Sequence, residues 1–117
     1  MSDNAEGISA GRPGEFLVVL STVPDHGTAT GIARALVEAR LAACVNVVPG
    51  LTSIYRWEGA VHEDAELLLV IKTRRALFDE LARALSAAHP YEVPEIVALP
   101  LAGGGAKYLA WLAESTG

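Results

Sequence analysis

The chain has 117 residues, of which 51% are hydrophobic and 20% charged, and its formal net charge is −5. This length suits one compact domain. The acidic balance argues against nucleic acid as the main partner, which usually requires a basic patch. No apolar run reaches the ~18 residues of a membrane span, so no membrane partner is expected.

The composition divides the chain into two parts. Residues 1–14 are rich in Gly, Ser, Asp and Asn, which predicts a disordered N-terminal lead-in before a single domain over residues 15–117. The lead-in has neither the basic start nor the apolar core of a signal peptide, so a cytoplasmic location is expected. The single cysteine, Cys44, excludes an internal disulfide and lies in an apolar segment, which favours packing in the core.

Four apolar segments predict β-strands. They are residues 16–20, residues 42–57 with an interruption at Pro49-Gly50, residues 62–71 and residues 96–99. The interruption suggests a bulge or kink within one long strand, and Glu58-Gly59 suggests a hairpin turn after it.

Three amphipathic segments predict helices. The first begins near Asp25, a good N-cap residue, and places Ala29, Ile32, Ala33, Leu36 and Val37 inward. The second places Leu77, Phe78, Leu81, Leu85 and Ala88 inward, and a short third helix covers residues 107–114.

The predicted order is β-α-β-β-α-β with an extra C-terminal helix, an α+β arrangement of the ferredoxin-like, split βαβ type. Right-handed crossovers place the first and third strands in the centre of the sheet. These strands are continuously apolar, yet the two long helices cover only one face. The second strand is also a long edge with little charge. An uncovered apolar face and a long edge predict a homo-oligomer.

The segment His89–Ile96 combines a histidine, a tyrosine, two carboxylates and two prolines. Each proline pushes the residue before it towards extended geometry, which predicts a stiff bend between helix and strand. His89 and Glu95 supply an imidazole and a carboxylate, a ligand set that suits copper(II) or zinc and is incomplete alone. The structural alternative is that Pro90 stops a helix and His89 is its last residue.

Other polar and aromatic side chains are candidates for a cleft. Asn46 and Lys72 each interrupt an apolar run at a strand end, so they either satisfy each other or line a cleft. Tyr55, Trp57 and Tyr91 suggest an aromatic wall at a subunit boundary, with plain interface packing as the alternative. His26 and His62 are expected to be solvated.

Four blocks of the chain resemble the signature blocks of the CutA family of divalent-cation tolerance proteins. They are Leu41–Asn46, Thr52–Gly59, Ile71–Thr73 and His89–Ile96, in the family's order within residues 16–112. The resemblance implies a ferredoxin-like fold, a homotrimer like that of the PII signalling proteins, and copper(II) binding with His89 and Glu95 as proposed ligands. Ser21 stands where some members have a cysteine, which removes a thiolate from that position.

The leading hypothesis is a non-enzymatic, trimeric protein of divalent-cation tolerance that binds copper(II) or another divalent ion. One alternative is a PII-like sensor of a small anionic ligand, held in an inter-subunit cleft with Asn46, Lys72 and Tyr91 as candidate binding residues. Another is a structural trimer with incidental metal binding. An enzyme is not expected, because no nucleophile–base pair or G-x-S-x-G elbow is visible.

Overall fold

A computed structural model describes residues 15–117. The predicted disordered lead-in, residues 1–14, lies outside the described residues. Within residues 15–117, four strands form one antiparallel sheet in the order β2-β3-β1-β4. The strands are β1 (Phe16–Val23), β2 (Cys44–Trp57), β3 (Ala60–Arg74) and β4 (Val97–Pro100). The predicted central positions of the first and third strands are therefore confirmed.

Three helices accompany the sheet in this part of the chain: α1 (His26–Glu38), α2 (Phe78–Ala88) and α3 (Ala106–Glu114). The predicted cap of α1 is confirmed, since the Asp25 side chain accepts a hydrogen bond from the Thr28 backbone N–H at 2.8 Å. This bond favours the carboxylate and lowers the pKa of Asp25. Leu77, predicted to be helical, lies in a 3-10 turn just before α2. The resulting β-α-β-β-α-β-α order is the α+β, ferredoxin-like fold.

The main core lies between the sheet and the helices α1 and α2. Alternate residues of β1 and β3 point towards these helices, and they pack on apolar side chains that recur at helical spacing. The buried members include Leu17, Val19, Leu69 and Ile71 on the strands and Ile32, Leu36, Leu81 and Leu85 on the helices. Each fully buried side chain of this size stabilises the fold by roughly 1.5–3 kcal/mol.

Two residues predicted to point inward are exposed. Val37 of α1 is 39% exposed, and Ala88 is exposed at the end of α2. The buried stripe of α1 is centred on Ile32 and Leu36, and Val37 lies ~100° around the helix from Leu36. The prediction of their burial was therefore wrong.

The outer face of the sheet, which points away from α1 and α2, is only partly covered. Helix α3 covers one end, where Phe16 packs on Leu109 and Leu112. Val18, Leu20, Leu68 and Val70 are half-buried, and Val97 and Leu99 of β4 are exposed. Apolar side chains thus continue across this face without cover from the described residues.

Cys44 also lies on the outer face rather than in the main core. It stands opposite Lys72, and its sulfur lies 3.9 Å from Asn46 Oδ1. Alternation along β2 places Val45 and Val47 on the opposite side, where they pack against the main core. The prediction that Cys44 packs in the core was therefore wrong, since the side chain is only half-buried.

Strands β2 and β3 extend beyond β1 as a two-stranded hairpin arm, formed by Leu51–Trp57 and Ala60–Ala65. The arm closes through Glu58 and Gly59, whose φ values of 51° and 80° are those of a type I′ turn. At Pro49-Gly50 the pairing register shifts between Val48 and Leu51, which is the predicted bulge.

Candidate functional site

A cleft of about 730 Å³ lies between the hairpin arm and the segment that follows α2. Its lining combines aromatic rings, carboxylates and small polar groups. The lining residues are Thr22, Ser53, Ile54, Tyr55, Trp57, Glu66, Pro90, Tyr91, Glu92, Val93, Pro94 and Glu95. Tyr55, Trp57 and Tyr91 therefore line the same cleft.

His89 holds the bend that forms one side of this cleft. It ends α2 in an extended conformation, with φ −80° and ψ 138°, as expected for a residue before proline. The residue is only 8% exposed, and Nδ1 accepts a hydrogen bond from the Tyr91 backbone N–H at 3.1 Å. Nε2 lies 2.8 Å from the Thr22 carbonyl oxygen. This pattern assigns the proton to Nε2, which donates to Thr22, so both ring nitrogens are engaged.

Tyr91 and Glu66 form a polar pair inside the cleft. The Tyr91 hydroxyl donates to Glu66 Oε2 at 2.6 Å, and the Tyr91 ring lies 4.8 Å from the His89 ring. Glu66 is only 7% exposed. Burial is the largest cause that raises the pKa of Tyr91 well above its ordinary value, and the hydrogen bond from the phenol to the Glu66 carboxylate raises it further. The phenol is therefore a hydrogen-bond donor throughout the physiological range.

The hairpin arm fixes a second tyrosine by two contacts. The Tyr55 hydroxyl donates to the Asp64 carboxylate, which stands across from Ser53 on the partner strand. The Tyr55 ring stacks on the His62 ring at a centroid distance of 5.5 Å. The hydrogen bond to Asp64 raises the pKa of Tyr55. His62 is exposed at this position, as is His26 at the start of α1, as the sequence predicts.

Asn46 and Lys72, two of the three candidate residues of an anion cleft, satisfy each other on the outer face of the sheet. The Lys72 ammonium donates to the Asn46 amide oxygen. Tyr91, the third candidate, instead contacts Glu66, which precedes Lys72 by six residues on β3. At ~3.3 Å per residue that separation is roughly 20 Å. The structure therefore does not bring these three residues together.

The two predicted metal ligands lie on the same bend but differ in availability. Glu95 lines the cleft and is exposed, whereas the His89 ring is buried and hydrogen-bonded. Within residues 15–117, no group of three or more His, Cys, Asp or Glu side chains is placed to hold a metal ion.

Sequence reasoning missed Glu66, the buried carboxylate of the cleft. One signal for it exists in the alternation of β3, because a strand places Asp64, Glu66 and Leu68 on one face. Glu66 is thus the first residue of the outer face after the exposed arm, and it directly precedes the apolar run of residues 67–71.

The fold and cleft define an α+β protein of ferredoxin-like architecture with an acidic, aromatic-lined cleft at the sheet edge. Residues 17–115 match the family described as CutA1 divalent ion tolerance protein. This chain belongs to that family.

Individual relatives match most of the chain in sequence and in structure. The divalent-cation tolerance protein CutA of Thermus thermophilus is 63% identical over 100 residues, which cover 86% of this chain and 97% of that protein. The solved structure of a Thermus thermophilus protein of this description superposes with a TM-score of 0.85 at 62% identity, covering 87% of this chain and 99% of that one. The crystal structure of CutA1 from Oryza sativa gives a TM-score of 0.86 at 48% identity, covering 90% and 96%.

Some relatives are longer than this chain and differ in location. The chain spans 55% of the Arabidopsis thaliana protein CutA, which is named chloroplastic, and 58% of the human protein CutA. A relative from Archaeoglobus fulgidus is described as periplasmic. None of the helices within residues 15–117 combines the length and apolar character needed to cross a membrane.

Proposed function

We propose that this chain is a non-enzymatic, cytoplasmic protein of divalent-cation tolerance that forms a homotrimer and binds copper(II) in the cleft. The names of its relatives support the role in divalent-cation tolerance. The observation that carries the proposal is the charge of the cleft. Its lining includes Glu66, Glu92 and Glu95, and none of the described residues that line it is Lys or Arg.

An acidic cleft favours a cation over an anion, because carboxylates of one sign raise the local concentration of positive ions. This argues against the PII-like alternative, in which Lys72 would hold an anionic ligand. The Lys72 ammonium is already engaged by Asn46 and lies on another part of the sheet. The third alternative, a structural trimer with incidental metal binding, predicts an affinity too weak to depend on particular cleft residues.

Glu95 and His89 are the proposed protein ligands of the ion. Glu95 offers exposed carboxylate oxygens at the cleft. The His89 ring offers Nδ1 once that atom releases the Tyr91 N–H, a hydrogen bond worth roughly 1 kcal/mol net. Copper(II) favours imidazole nitrogen and heads the affinity order of the divalent ions, so it competes best for this atom. Water or a neighbouring subunit would supply the remaining ligands.

The proposed trimer is supported by the uncovered outer face of the sheet. Half-buried Leu20, Leu68 and Val70 adjoin exposed Val97 and Leu99, and α3 covers only the opposite end. A second copy of the chain would remove this surface from water, with a gain of roughly 25 cal/mol per Å² of apolar area.

The test is a copper(II) titration against a competing chelator. We expect Glu95→Gln and His89→Gln each to weaken binding by about tenfold or more, because each removes one donor from a small ligand set. Glutamine at position 89 can still donate to the Thr22 carbonyl and so preserves the bend. Glu38→Gln, at the exposed end of α1, removes the same charge as Glu95→Gln and should have no effect. Wild-type affinity in both cleft variants would refute the proposed site.

A further inference from the structure

The cleft is much larger than a metal ion requires. Its volume of about 730 Å³ lies within the range of roughly 300–1,000 Å³ that is typical of small-molecule sites. Such sites combine apolar and aromatic walls with a few polar groups that fix orientation. Tyr55, Trp57 and Tyr91 supply the aromatic walls here, and the backbone on one side is stiffened by Pro90 and Pro94.

Glu66 is a buried acid with an unused hydrogen-bond acceptor. Its Oε2 accepts from Tyr91, while no donor among the described residues contacts Oε1. Burying a carboxylate is costly unless its oxygens are hydrogen-bonded. Glu66 is only 7% exposed and lines the cleft, and its Oε1 is not among the buried unpaired atoms of the described residues, so this oxygen faces the cleft, where water or a ligand donor reaches it. A cationic N–H group satisfies the charge and the acceptor together.

The aromatic side chains of the cleft suit the same kind of ligand. The face of Trp or Tyr attracts an ammonium or guanidinium group within ~6 Å of the ring centre. The hydrogen bond from Tyr55 to Asp64 and its stacking on His62 hold this ring in place before any ligand arrives. None of the described residues that line the cleft is Lys or Arg.

We propose that the inner part of the cleft binds a small organic cation with N–H donors, an alkylammonium or alkylguanidinium compound, on Glu66 and the rings of Tyr55, Trp57 and Tyr91. The ligand's N–H donates to Glu66 Oε1, and its alkyl chain lies against the aromatic walls. This site uses residues other than the proposed copper ligands Glu95 and His89, and it stands whether or not copper binds.

The test is calorimetric titration of the full chain with agmatine, which carries one guanidinium and one primary ammonium group. The buffer is phosphate at low ionic strength, free of amines, with a chelator present so that metal plays no part. We expect saturable binding by the wild type. Glu66→Gln removes the charge while its amide oxygen can still accept from Tyr91, and we expect it to weaken binding at least tenfold.

Two further variants distinguish binding at this site from a general attraction of cations to an acidic protein. Glu63→Gln removes the same charge three residues earlier on β3, on the opposite face of the hairpin arm, and should leave agmatine binding within twofold. Trp57→Leu keeps an apolar side chain and removes the ring, and it should weaken binding several-fold. This variant carries the test if Glu66→Gln fails to fold, because Trp57 lies next to the exposed turn of the arm.

Absence of agmatine binding by the folded wild type would overturn the proposal, as would equal losses in Glu63→Gln and Glu66→Gln. Wild-type affinity in Trp57→Leu would also contradict it. None of these outcomes bears on copper, which is measured separately through Glu95 and His89.

Discussion

The two ring nitrogens of His89 connect three parts of the fold. Nε2 donates to the end of β1 at Thr22, and Nδ1 accepts from the backbone of Tyr91. Tyr91 in turn donates to Glu66. A cation bound at Nδ1 would therefore release the Tyr91 backbone and change the geometry of the Tyr91–Glu66 pair. Copper(II) bound as proposed would therefore change the shape of the cleft interior through one imidazole.

Two buried hydroxyls provide a matched pair for stability measurements. The Ser21 hydroxyl is buried and has no hydrogen-bond partner within residues 15–117, whereas the Thr73 hydroxyl donates to the Leu41 carbonyl at 2.6 Å. We expect Ser21→Ala to leave the free energy of unfolding unchanged or raise it by up to about 1 kcal/mol. Thr73→Val should lower it by about 1–3 kcal/mol, because the Leu41 carbonyl then lacks its donor. Denaturant unfolding at one protein concentration measures both, and a larger loss in Ser21→Ala contradicts the assignment.

At the scale of elements, the hairpin arm depends on a turn whose first residue is poorly suited to it. Glu58 has φ 51°, a left-handed conformation that asparagine tolerates better than glutamate. We expect Glu58→Asn to stabilise the protein by about 0.5–1 kcal/mol. Glu58→Ala removes the same side-chain charge without easing the backbone and should give no gain. Thermal unfolding compares the two, and an equal gain in both would show that charge, not backbone strain, is responsible.

The elements themselves could be predicted from the chain because their signals are local. Apolar runs and helical spacing indicate β1, α1 and α2, and Pro49-Gly50 with Glu58-Gly59 indicates the bulge and the turn. The interior of the cleft could not be predicted in this way. It arises where the segment after α2 meets β3, a contact between residues 25 positions apart, such as Glu66 and Tyr91. No local pattern sets that distance.

Residues on the outer face of the sheet show the same contrast between positions that the sequence predicts and positions that it does not. Asn46 and Lys72 could be expected to satisfy each other, because both stand at strand ends in neighbouring strands. The half-buried position of Cys44 could not, since an apolar segment alone does not indicate which face of the sheet a residue occupies. The pairing register determines that face.

At the scale of the molecule, burial in the single chain and the proposed trimer predict opposite rankings for the damage caused by Leu99→Glu and Val37→Glu. Leu99 on β4 is 53% exposed, and Val37 on α1 is 39% exposed. Because Leu99 is the more exposed of the two in the single chain, burial there predicts that Leu99→Glu destabilises the protein less than Val37→Glu does. The proposed trimer covers the outer face, so we expect Leu99→Glu to dissociate or unfold the assembly while Val37→Glu remains trimeric. Sedimentation at micromolar concentration decides between them, and a folded wild-type monomer would contradict the trimer outright.

The most direct test of the cation site is the electron paramagnetic resonance spectrum of the protein with one equivalent of copper(II). The proposed ligands His89 and Glu95 place one imidazole nitrogen and one carboxylate oxygen on the ion, so we expect nitrogen hyperfine coupling in the wild type. The coupling should disappear in His89→Gln and persist in Glu95→Gln with altered parameters. An all-oxygen spectrum in the wild type, or nitrogen coupling unchanged in His89→Gln, would contradict the account.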